Sequence, residues 1–364
     1  MKGKTIIIAI VFVFFLSVGI LSDELKARPF HEDYGFAVNE QQLKETVRIS
    51  LEREKEKIKV LRKRYGFDDK TSFSAAICPH DDYAYAAQIY AHVIPYIKAK
   101  RVIIFGVAHK AILFDFEDRL IFGNFSHWDT SCGKIKVSGI RDYLIENLEM
   151  EHYVISPGFM FSEHSIEALM HWLKYYNNDV EIVPVCVPYM NWERMQELSR
   201  AFSRILAEKM KAEGWEFGKD VAILISNDSS HYGDQGWGGK NYAPFGADIE
   251  GYVKATERDS MLAKEYLAGM VKPEKLKAFF HRLVKEDDPY VYLITWCGRF
   301  SIPFGLSTLY HTTTMLSRDV PEGKFLAYGT SVSLGLIEGT KIPLQTTAPA
   351  NLHHWVGYLA MGYE

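Results

Sequence analysis

The chain has 364 residues, 48% apolar and 24% charged, with a formal net charge of -4. That is the balance of an ordinary globular protein, long enough for one large α/β domain or two modest ones. Acids and bases are interspersed, which argues against a nucleic-acid partner, and four cysteines with no Cys-x-x-Cys pair exclude a zinc ribbon.

In chain order, the first signal is the basic stretch Met1–Lys4, followed by a charge-free apolar run from Thr5 to Leu21. A membrane-spanning helix needs about 20 such residues and a signal-peptide core about 7–15. Residues 1–22 therefore read as a signal peptide or an N-terminal membrane anchor. On either reading the rest of the chain is exported, periplasmic or extracellular, and membrane contact is confined to this segment. Residues 23–70 form a lead-in, in which Asn39–Tyr65 predicts a charged amphipathic helix.

From 71 to 364, apolar strand candidates alternate with helical stretches. They run Ser72–Cys78, a helix over Ala86–Ile97, Arg101–Val107, Glu181–Val187, a helix from Trp192 to Ala212, and Asp220–Ser226, with later strands at Phe325–Ser331 and Trp355–Met361. This alternation predicts an α/β fold with a mostly parallel central sheet flanked by helices. Arg119–Val137 reads as an antiparallel excursion over one edge, and 246–286 as a helical elaboration of two helices.

Ligands in a parallel α/β sheet gather beyond the carboxyl ends of the strands. Three of those ends deliver a histidine: His80 in Pro79-His80-Asp81-Asp82-Tyr83, His109 in Gly106-Val107-Ala108-His109-Lys110, and His231 in Ser226-Asn227-Asp228-Ser229-Ser230-His231. One such residue would be an ordinary rim histidine. Three at equivalent positions point to metal binding or acid–base chemistry, and with aspartates near two of them they suit non-haem iron, zinc or copper. Phe161–Glu167 reads as the opening of a helix to about Tyr176, with Ser162 as its cap and Glu163 complementing its dipole. His164 is disfavoured there unless neutral, which makes it a candidate base. Of the four cysteines, Cys78, Cys132, Cys186 and Cys297, local sequence singles out none; Cys297 reads as an inert buried thiol. No Gly-x-Ser-x-Gly elbow is present, which argues against a serine hydrolase.

The segments PHDDYAY, GVAHK, EHSIE, SNDSSHYG and TWCGRF stand in one order along the chain, and WVGYLAMGYE closes it. Together they resemble the Memo-like family, also called AmmeMemoRadiSam system protein B. The resemblance runs from about Ser72 to Glu364. It implies a fold similar to class III extradiol (LigB-type) dioxygenases and iron or copper held by two His and one Cys, here His80, His109 and Cys297; zinc stays a further candidate from the residues themselves. It also implies that His164, Asp228 and His231 line the same pocket as acid–base groups, with Asp228 orienting an imidazole.

Three departures from the family pattern stand beside these residues. Asp81-Asp82 replaces Ala-Gly, suggesting an unusual backbone angle at Asp82; Val107-Ala108 replaces Pro-Ser; Lys110 replaces His. The leading expectation is a metal-binding, dioxygenase-like oxidoreductase acting on an unidentified small molecule. A metal-dependent hydrolase and a non-enzymatic scaffold that captures a protein partner through a vestigial pocket are the alternatives.

Overall fold

The computed structural model describes residues 27–31 and 34–364, so the leader over 1–22 lies outside the described residues. Among the described residues no helix is long and apolar enough to cross a membrane. The strands that build the sheet are β1 (Ala75–Cys78), β2 (Arg101–Val107), β3 (Leu120–Phe122), β4 (His127–Thr130), β5 (Gly133–Val137), β6 (Glu181–Val187), β7 (Val221–Ser226), β8 (Asp228–Tyr232), β9 (Glu322–Thr330) and β10 (Trp355–Tyr363). The main helices are α1 (Glu40–Tyr65), α2 (Tyr83–Tyr90), α3 (Glu167–Tyr176), α4 (Trp192–Glu213), α5 (Ile249–Leu262), α6 (Pro273–Leu283) and α7 (Ser301–Met315).

The sheet runs β4-β5-β6-β2-β7-β1-β10-β9. Its centre, β6-β2-β7-β1, is parallel throughout. β10 then pairs antiparallel with β1, β9 and β8. The apolar runs of β1, β2, β6 and β7 follow from burial on both faces. Ala76, Cys78, Val102, Ile104, Ala222 and Leu224 pack toward α1, α2 and α3. Their alternates Ala75, Ile77, Ile103, Phe105, Ile223 and Ile225 pack toward α4, α6 and α7. α1 begins where the Asn39 side chain accepts the Gln42 N–H and ends at Gly66, whose left-handed φ of 73° supplies the C-terminal cap.

Several expected boundaries move for local reasons. β1 is shorter than Ser72–Cys78 because the Phe73 N–H is taken by the carbonyl of Tyr96. The helix expected over Ala86–Ile97 starts at Tyr83 and stops at Tyr90; Pro95 lacks the N–H a continued helix needs, and a single 3-10 turn, Ile94–Tyr96, follows. The Arg119–Val137 stretch does contain an antiparallel hairpin, β4–β5, but it extends the sheet through parallel pairing of β5 with β6 instead of lying over the edge.

The reading of Ser162 as a helix cap is corrected. A short helix, Pro157–Ser162, ends there, the Ser162 hydroxyl donates back to the Phe159 carbonyl, and α3 starts five residues later with no side-chain cap. The Glu163 carboxylate instead turns back to accept the N–H groups of His164 and Ser165.

Burial also builds a pH response into α3. His171 is fully buried and accepts the Ser131 N–H at Nδ1 (2.9 Å). Burial, then the Arg28 guanidinium against an opposing contribution from Glu167, leaves its pKa at about 4. The unfolded chain takes up this proton near pH 6.5 and the folded chain only near 4. Stability associated with the neutral ring is therefore complete above pH 6.5 and is lost as pH falls toward 4, by about 3 kcal/mol. Urea midpoints of the metal-free chain should fall between pH 7 and pH 4.5; equal midpoints would contradict this.

Candidate metal centre

The carboxyl ends of β1, β2 and β7 point to one place, and the loops leaving them carry the cluster. His80 follows β1 by two residues. Its Nδ1 lies 2.7 Å from the Ser226 hydroxyl, which itself donates to the Ser165 carbonyl at 2.7 Å. The Ser226 proton being used, its oxygen accepts Nδ1–H, which leaves the Nε2 lone pair of His80 facing the cluster. That atom is buried, lies 3.2 Å from Asp228 Oδ2, and has no hydrogen-bond partner.

His109 is fixed in the same way by a carboxylate. Glu163 accepts the His109 backbone N–H at Oε2 and its Nδ1 at Oε1, both at 2.9 Å, and Oε1 also takes the N–H groups of His164 and Ser165 at 3.0 Å. Burial alone would raise the Glu163 pKa, but His109 and His164 hold it well below the usual carboxylate range. Burial works against charge on His109, but Glu163 and Cys297 hold its pKa well above the usual imidazole value. The proton a metal would displace therefore sits on an Nε2 already turned to the cluster, an arrangement common behind metal-bound histidines. His164 stacks on His109 at 4.6 Å between ring centres. Burial and the neighbouring His109 push its pKa down to about 3, so it stays neutral, in keeping with the expectation of a neutral imidazole.

β8 supplies the next two groups. Residues 228 and 231, three apart, would face opposite sides of a regular strand. The pairing of β8 with β10 shifts register between them, and this irregularity turns both into the pocket. Asp228 Oδ1 accepts the His80 N–H at 2.9 Å. Burial, with Asp81 and Cys297 nearby, raises the Asp228 pKa well above the ordinary value.

Cys297 opens the turn before α7, and its Sγ lies 3.2 Å from His231 Nε2. Burial works against its thiolate, but His231, His109 and His80 around the sulfur hold its pKa well below that of a free thiol. The same burial, with no imidazoles around the sulfur to offset it, lifts the pKa values of Cys78 and Cys186 well above that of a free thiol. No disulfide links these cysteines; all four are free. The contrast overturns the reading of Cys297 as inert, because a stabilised thiolate is the reactive, metal-ligating form.

All six residues expected at the site are brought together. Two overlapping groups of donor atoms, His80/His109/His164 and His80/Asp228/Cys297, each lie within 4.8 Å. His80 and His109 also act on the Cys297 sulfur, beside the His231 contact. The orphaned, buried Nε2 of His80, the pre-oriented Nε2 of His109 and a stabilised thiolate are a donor set that fits a transition metal.

The departures do not occupy the donor positions. Asp82 has φ -44°, so the expected unusual backbone angle is absent; its carboxylate instead accepts from Thr347 and sits against Gly35. Asp81 accepts the Tyr358 hydroxyl at 2.6 Å, and Lys110 donates to the Ser162 carbonyl. Sequence reasoning missed Glu163 and Ser226 as the residues that orient the imidazoles. It also missed Trp237, which lines the pocket beside His231 and stacks on His354 at 3.9 Å.

Fold and site together define an α/β protein with a His/His/Cys donor cluster at the carboxyl ends of its parallel strands. A family model described as Memo-like protein matches residues 37–342, and the chain belongs to that family. Relatives include MEMO1 family proteins of Pyrobaculum arsenaticum, 31% identical over 43% of this chain and 52% of that protein, and of Methanosarcina barkeri, 26% identical over 43% and 54%. A third, from Thermotoga petrophila, is 24% identical over 59% of each chain. The chain thus spans about half the length of the curated relatives it matches. All five quoted motifs fall inside the family match. The closing segment lies beyond it, yet β10 sits inside the sheet between β1 and β9.

Proposed function

We propose that this chain holds a redox-active metal, iron or copper, through His80, His109 and Cys297, and uses it on a small-molecule substrate. The observation that supports this is the buried, unpartnered Nε2 of His80 beside a thiolate stabilised by three imidazoles. When bound, the metal would supply electron transfer to or from substrate or dioxygen. The protein's part is to orient and to move protons. Glu163 and Ser226 orient the donor imidazoles, His164 stays neutral as an uncharged hydrogen-bonding ring beside His109, and His231 and Asp228 hold protons beside the sulfur and His80. Export of the chain, supported by the charge-free run Thr5–Leu21, belongs to the same reading.

Anaerobic metal loading followed by oxygen-consumption assays tests it. The wild type is expected to retain metal and consume oxygen with a reductant, and His80→Ala to lose both; a variant that keeps both removes His80 from the centre. A second reading is favoured by Asp228, whose carboxylate shares a donor group with His80 and Cys297. Carboxylate-bearing sites also suit zinc, which would make the centre hydrolytic. Zinc retained after competition with iron and copper would support that reading.

A further inference from the structure

Beside the cluster lies a cavity of about 410 Å³, lined on one side by His109, His231 and Cys297 and on the other by Arg299 among aromatic rings. Arg299 is half-buried. Its guanidinium lies over the rings of Tyr292 (4.5 Å), Phe300 (5.3 Å) and Tyr189 (5.5 Å). One NH2 group donates to the Trp296 carbonyl at 2.9 Å, and Nε has no partner. Among the described residues no carboxylate pairs with it.

A guanidinium taken from water into aromatic surroundings without a counter-ion is costly. Its planar fork matches a carboxylate, which removes that cost. No lysine lines this cavity to join Arg299, as a more highly charged phosphate would call for. Trp237, Tyr242 and Tyr292 narrow it with flat faces, and the hydroxyls of Tyr242 and Tyr292 join at 2.9 Å.

We propose that this cavity binds a planar carboxylate, with Arg299 gripping the carboxylate and the remainder of the molecule directed at His109, His231 and Cys297. The assignment rests on the cluster being the reactive centre, and it makes Arg299 the residue that selects acids over their neutral analogues.

Calorimetric titration of trans-cinnamate and the isosteric trans-cinnamamide into the full chain, metal-free and metal-loaded, tests it. The wild type should bind the acid more tightly than the amide, on the order of tenfold. Arg299→Gln should lose that preference with its melting temperature and metal content unchanged. Should Arg299→Gln fail to fold, Arg299→Lys should bind the acid more weakly than wild type, since lysine lacks the fork. No detectable binding of the acid, equal affinity for acid and amide in the wild type, or an unchanged preference in the Arg299 variants would overturn the proposal. Because the preference is read in metal-free protein, a preference for acid in a chain that holds no metal supports Arg299 while rejecting the metal reading. Metal uptake with no preference does the reverse.

Discussion

Glu163→Gln is expected to weaken metal binding by about 10–100-fold, the range seen when a carboxylate behind a metal-bound histidine is lost. Glu163 is buried and acceptor-only, and four N–H groups converge on it: two from His109 and one each from His164 and Ser165. An amide offers one oxygen and one NH2. Whichever way it is placed, its NH2 meets an N–H of His109 head on. One donor of His109 is left unpaired, and the ring is free to turn its Nε2 away from the cluster. Removing one partner of a buried charge pair also destabilises folds by about 3–5 kcal/mol. Competition against a chromogenic chelator and a urea titration would read both effects. A variant with wild-type affinity would mean that His109 is not held by Glu163.

The second large effect is expected at Gly298, and backbone freedom is not the reason. Its φ is -75°, open to any residue. What excludes a side chain is Asn227: a Cβ on Gly298 would lie 2.4 Å from Asn227 Oδ1 and 2.7 Å from its Cβ, while the Gly298 N–H donates to that same Oδ1 at 3.0 Å. Both residues are buried, so relief comes only from moving the turn that carries Cys297. Gly298→Ala is expected to cost about 1–3 kcal/mol, as overpacking does, and to weaken metal binding by displacing the sulfur. Gly158→Ala, where an added methyl meets nothing within 4 Å, is the control and should leave both unchanged. Equal behaviour of the two variants would show that the approach to Asn227 does not position Cys297.

Much of this was legible in the chain because burial on both faces writes a strand plainly. β2 and β6 have the bounds expected for them, and their continuous apolar runs suit strands covered by helices on both faces. The strand-end histidines were legible for the same reason: once β1, β2 and the start of β8 are located, topology brings His80, His109 and His231 together. What stayed hidden depends on contacts between distant residues. A glutamate before a helix looks like a dipole partner, and only the fold shows Glu163 turned back onto His109, 54 residues away. Cys297 looks inert until three imidazoles surround its sulfur. The β8 register shift that turns both Asp228 and His231 inward leaves no mark in SNDSSHYG. Asp82 misled in the other direction: a residue standing where relatives carry glycine suggested a strained backbone, whereas its carboxylate is engaged by Thr347.

The measurement that bears most directly on the centre is X-ray absorption at the metal edge of the loaded full chain, wild type against Cys297→Ala. The expected result is an inner shell containing one sulfur and imidazole nitrogens in the wild type, with the sulfur contribution gone in the variant. A wild-type shell of nitrogen and oxygen alone, unchanged by Cys297→Ala, would contradict the His80, His109 and Cys297 assignment.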